Sequence, residues 1–127
     1  MSKITCIRIL VALLFTFSNP IFAQWEQTND LDGVLVYSLA VSGTNLFAGT
    51  YGGVFLSTNN GTSWTQVNTG LTNTNVRSLA VSGTNLFAGT EGGGVFLSTN
   101  NGTSWTQVNT GLTNTNVRSL EEFITLL

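Results

Sequence analysis

The sequence predicts an all-β fold built from repeated four-stranded antiparallel sheets, and three observations lead there. A segment of about forty residues occurs twice in tandem. Inside each copy, four short runs rich in Val, Leu, Phe, Thr and Trp are separated by Gly, Asn and Ser. Beyond the first 23 residues, helical periodicity is confined to the last seven, too few for a helix to stand alone.

Taken in order, residues 1–23 read as a secretory leader. Lys3 and Arg8 make a positive start, residues 9–17 form an apolar run, and Pro20 precedes Ile21, Phe22 and Ala23, a small-residue cleavage site. The run is shorter than the roughly 20 apolar residues of a spanning helix. Cleavage after Ala23 places the chain outside the cytoplasm, as a secreted, periplasmic or cell-surface protein without membrane insertion. The single cysteine, Cys6, would leave with the leader, so packing and strand pairing would have to hold the remainder together.

Residues 24–35 open with QWEQTN, an echo of SWTQVN at 63–68, and read as an outer strand and linker of an incomplete unit. Residues 36–75 form the first whole copy and 76–116 the second. The copies differ at Tyr37/Arg77, at Tyr51/Glu91 and by one inserted glycine in the run 92–94. In the second copy the expected strands are 76–82, 86–90, 94–99 and 104–109, each closed by turn chemistry. The Asn60-Gly61 and Asn101-Gly102 pairs suit positive φ in a tight connection. Residues 117–127 restart the repeat as VRSL and then diverge into EEFITLL.

One such sheet cannot bury its apolar faces alone, and face-to-face stacking solves that. Four strands in about forty residues is the blade size of a β-propeller. The expectation is therefore two complete blades with flanking strands, an incomplete ring in one chain. Truncation of a longer gene, assembly of several chains into one ring and an open two-sheet domain all remain open.

The stretch STNNGTSW, at 57–64 and 98–105, resembles the Asp-box (BNR repeat), whose pattern is Ser-x-Asp-x-Gly-x-Thr-Trp. The likeness covers residues 36–116. Sialidases, sortilin-type receptors and photosystem II assembly-factor-like proteins carry such boxes. The resemblance implies that the box joins the third and fourth strands of a blade and that Trp64 and Trp105 are core anchors, with Trp25 at the corresponding place further upstream. It also implies turn-forming roles for Ser57, Asn59, Gly61, Ser98, Asn100 and Gly102. Here Asn59 and Asn100 replace the aspartate, and Ser63 and Ser104 replace the threonine. An Asn oxygen still accepts backbone N–H bonds across a turn, but the charge is gone, which argues against a metal at these loops.

Composition narrows the chemistry. With the leader removed, Arg77 and Arg118 stand against six carboxylates, a formal charge of −4. Nucleic acid and anionic membrane surfaces, which require clustered Lys and Arg, are poor partners. The chain has no His, so Ser-His and Cys-His nucleophile pairs and ordinary zinc sites are excluded. A sialidase needs three arginines around its substrate's carboxylate, and only two remain. No catalytic residue, cofactor or metal is expected. Asp30 and Asp32 read as turn residues of the linker, and the NGT sequons at Asn60 and Asn101 fall inside the box turns.

The positions that changed between copies are the better candidates. The connection into a blade's first strand and the loop between its second and third strands emerge on one face of a propeller. The box turns emerge on the other. Tyr37, Tyr51, Arg77 and Glu91, with Arg118, are therefore the candidate ligand-binding residues. Neutral surface drift after a recent duplication is the simpler explanation of the same substitutions. The expected function is a non-catalytic exported interaction module for a glycan or protein. A remnant of a sialidase-like hydrolase and a structural spacer of a surface protein are the alternatives, and a homo-oligomer completing a ring is a further expected partner.

Overall fold

The computed structural model describes residues 8–12, 23–27 and 29–120, with side chains from residue 30 onward. Most of the expected leader and the whole EEFITLL tail lie outside the described residues. What is described near the start is a two-stranded antiparallel ribbon, β1 (Arg8–Ala12) paired with β2 (Ala23–Gln27). The QWEQ segment is thus a strand, and its partner is β1 rather than either repeat. A 3-10 turn at Asn29–Leu31 leads into the first repeat.

Each repeat folds into a four-stranded antiparallel meander, as its spacing predicts. The first sheet contains β3 (Val36–Ser42), β4 (Asn45–Thr50), β5 (Gly53–Ser57) and β6 (Thr65–Gln66) in spatial order. The second contains β7 (Val76–Ser82), β8 (Asn85–Thr90), β9 (Gly94–Ser98) and β10 (Thr106–Gln107). Both sheets are open, and the first strand of one lies against the first strand of the other, β3 beside β7. This is the arrangement of two adjacent, incompletely ringed propeller blades.

The fourth strands are shorter than the runs 63–68 and 104–109 predict. Only Thr65–Gln66 and Thr106–Gln107 pair as strands, against Leu56–Phe55 and Leu97–Phe96. One more backbone bond follows, from Val67 N–H to the Val54 carbonyl at 2.8 Å, and then a side chain takes over: Val54 N–H donates to Asn68 Oδ1 at 2.8 Å, and Asn68 Nδ2 donates to the Gly52 carbonyl at 2.9 Å. Asn109 repeats both bonds with Val95 and Gly93. The amide carries one acceptor and a donor group, so it mimics the peptide unit of the missing residues.

Strand alternation sorts each sheet into two faces. Ala40, Phe47, Leu56 and Val54 share one face of the first sheet, and Leu39, Ala48 and Phe55 the other. The main core forms where the first face meets the second sheet, joining Phe47, Val54 and Leu71 to Val76, Leu79, Leu86, Ala88, Phe96 and Trp105. Close approach depends on Gly49, since a Cβ there would lie 2.9 Å from Val76 Cγ1. A smaller cluster of Leu31, Ala48 and Trp64 lies on the outer face of the first sheet.

Candidate functional site

The turns joining the third and fourth strands carry the repeated STNNGTSW, and their bonds explain its letters. Ser57 Oγ donates to Asn59 Oδ1 at 2.9 Å and accepts the Gly61 N–H at 2.7 Å. Asn59 Oδ1 also accepts the Ser63 N–H at 2.9 Å, and its amide donates to Ser63 Oγ at 2.8 Å. Ser98, Asn100, Gly102 and Ser104 repeat the pattern. Asn60 and Asn101 adopt φ of 57° and 56°, a left-handed conformation that asparagine tolerates better than most residues. Trp64 and Trp105, which follow the turns, are buried at 7 % and 4 % exposure.

Their surroundings differ, however. Trp105 Nε1 donates to the Val67 carbonyl of the first sheet at 2.8 Å. Trp64 Nε1 is buried without an acceptor among the described residues. The backbone N–H of Trp105 meets the Thr69 carbonyl at 2.9 Å, whereas that of Trp64 meets the Asp30 carboxylate at 2.7 Å. Asp30 is thus a linker residue that caps the following box strand.

The variable positions gather at the opposite end of the strands. Pairing passes from Val36↔Thr50 directly to Ser38↔Gly49, and from Val76↔Thr90 to Ser78↔Gly89. Tyr37 and Arg77 are therefore the extra residues of two β-bulges, a device that re-aims a side chain out of the pleat. The loops facing them hold Tyr51-Gly52 in the first sheet and Glu91-Gly92-Gly93 in the second.

The second loop meets the bulge. Arg77 Nε donates to Glu91 Oε2 at 2.7 Å, and its terminal nitrogen pairs with the same oxygen. The guanidinium also stands over the Tyr37 ring, 4.2 Å from its centroid, a cation–π contact that links the two blades. Arg118 approaches the other oxygen of Glu91 at 3.8 Å while remaining 78 % exposed. An open cleft of about 420 Å³ is lined by Tyr37, Arg77 and Arg118. The Arg77 hydrogen bond and charge, helped by Arg118 and Asn75, hold the Glu91 carboxyl below the ordinary carboxylate range despite partial desolvation.

Of the five candidates, four converge: Tyr37, Arg77, Glu91 and Arg118. Tyr51 stays outside the cleft and is 66 % exposed. Asn75 and Asn73 were not among the candidates. Asn75 Nδ2 reaches Glu91 Oε2 at 3.3 Å, and Asn73 Nδ2 donates to the Glu91 carbonyl at 3.0 Å, so the connection between blades anchors the loop. The TNTN run before each VRSL was the available signal, and it reads as plain turn chemistry until the loop is seen beside it. Among the described residues, no group of three or more His, Cys, Asp or Glu is placed to hold a metal ion.

The comparisons with known proteins agree with this architecture. The model of the DUF6242 beta propeller domain matches residues 13–120. No curated protein and no solved structure matches significantly. With both repeats inside the matched span and folded as blade-like sheets, the chain belongs to the DUF6242 beta propeller domain family.

Proposed function

We propose that the chain is a non-catalytic interaction module, exported from the cell, which binds a glycan or a protein through the rim formed by Tyr37, Arg77, Glu91 and Arg118. The observation that carries this reading is the convergence of the substituted positions. Three of the four letters that differ between the copies, Tyr37, Arg77 and Glu91, meet at one rim through a cation–π contact and an ion pair. The cleft between Tyr37, Arg77 and Arg118 offers an aromatic face and an exposed cation to a ligand. Tyr51 stands apart from the cleft as an exposed ring.

The box turns support a scaffold role at the other end. Their Asn oxygens accept bonds across the turn as an Asp-box carboxylate would, which favours reading them as neutral Asp-box turns. A two-carboxylate hydrolase would need a second acid beside Glu91. The residues lining the cleft are Tyr37, Arg77 and Arg118, and Glu91 is already tied to the two arginines.

Glycan and peptide arrays probed with the chain and with an Arg77→Ala/Tyr37→Ala variant test the reading. The variant is expected to lose the signal of the parent chain. Equal binding by both removes the rim as the site, and turnover of a fluorogenic sialoside removes the non-catalytic assignment.

A further inference from the structure

The two sheets carry nearly the same sequence, so burial at matching positions reports what lies next to each. Leu79 is 7 % exposed, while its counterpart Leu39 is 54 % exposed, with Val41 at 62 % beside it. On the other face, Leu71 is 6 % exposed and its counterpart Leu112 is 39 % exposed. Val67 packs against the core, whereas Val108 is 40 % exposed. The outer face of the first sheet thus repeats one half of the internal interface, and the outer face of the second sheet repeats the other half.

A hydrogen-bond donor marks the same absence. Trp105 Nε1 finds the Val67 carbonyl across the internal interface. Trp64, its counterpart, buries Nε1 with no acceptor among the described residues. A buried donor left unmatched costs about 1–3 kcal/mol. The carbonyl matching that of Val67 belongs to Val108, on the exposed face of the second sheet.

We infer that a second copy of this chain seats the outer face of its first sheet, Leu39 and Val41, on the outer face of the second sheet of the first copy, around Val108. The interface reproduces the internal contact between blades at Leu39 and Val41, the counterparts of Leu79 and Val81. Association of this kind is head-to-tail, because the two surfaces differ.

One segment gives way in the process. Inside the chain a single connection, residues 69–75, runs between the sheets and seats Leu71. Between copies there are two, residues 110–116 of the first and 30–35 of the second. Leu31 is fully buried, so the C-terminal connection of the first copy, with its half-exposed Leu112, is the one that yields. Residues 115–117 leave their place beside Gly89 and the 91–94 loop, giving up the bonds of Gly92 and Gly94 N–H to the Thr115 carbonyl and of Val117 N–H to the Thr90 carbonyl, and the second copy's Val36 takes the place of Val117. The second copy's Tyr37 then stands near Glu91, where Arg118 stands now.

Light scattering on the full chain across a concentration series tests this, with two variants at exposed positions. Leu39→Asp/Val41→Asp blocks one surface and Val108→Asp the other. The parent chain is expected to gain mass with concentration, each variant alone to stay monomeric, and their equimolar mixture to give a species of twice the monomer mass. A parent chain that stays monomeric throughout, a variant that associates like the parent, or a mixture that gains no mass overturns the inference. Should Leu39→Asp/Val41→Asp lose the β-sheet circular dichroism of the parent, Leu39→Ser takes its place with the same expected outcomes.

Discussion

The two blades offer an internal control that few proteins provide. Trp64 and Trp105 follow the same seven residues and the same turn bonds, yet Trp105 lies in the large core with its indole nitrogen satisfied, and Trp64 lies in a three-residue cluster with its indole nitrogen lacking an acceptor among the described residues. The difference teaches that the box turn places the ring and the neighbouring sheet determines what the placement contributes. The same holds at the rim, where one bulge presents a tyrosine and the next an arginine on an unchanged backbone.

The largest test of that comparison is truncation of the two indoles. Trp105→Ala is expected to cost about 3–5 kcal/mol in urea unfolding, in the range for a large buried aromatic. Trp64→Ala is expected to cost measurably less, because it vacates a smaller cluster and removes an unmatched donor. Equal losses would show that the inter-sheet contact adds nothing beyond the turn.

A backbone comparison sharpens the point. Gly70 and Gly111 hold the same left-handed conformation, φ 83° and 81°, so alanine strains both equally. At Gly70 the added Cβ would run into the Trp105 carbonyl, whereas at Gly111 nothing lies within 4 Å. Gly70→Ala is therefore expected to cost about 1–3 kcal/mol more than Gly111→Ala, the usual range for overpacking.

The smallest effect concerns the rim. Arg77 lowers the Glu91 pKa in the folded chain, so the pair contributes stability that is present above the unfolded value and lost as pH falls through the folded one. The stability difference between the parent chain and Glu91→Gln is expected to be constant near neutrality and to shrink below about pH 4. In the first blade, where Tyr51 occupies the corresponding loop, Tyr51→Gln is expected to show no such pH dependence.

Much of this fold was legible beforehand. The first strand of the second blade, Val76–Ser82, matches its predicted run residue for residue, and the Asn-Gly pairs take the left-handed φ that their chemistry favours. The fourth strands were overestimated because Asn68 and Asn109 look like strand ends but act as side-chain peptide mimics. The candidate rim was legible as a list of changed letters, without the knowledge that Arg77 and Glu91 pair or that Tyr51 stands apart.

Strand positions, turn conformations and the blade repeat follow from short-range rules of alternation, turn residues and period, and the sequence by itself determined them. Burial of Leu79 but not Leu39, and the acceptor for Trp105 but not Trp64, are contacts between segments far apart in the chain. Identical letters cannot encode different neighbours, so these were decided only when one sheet came to rest against the other.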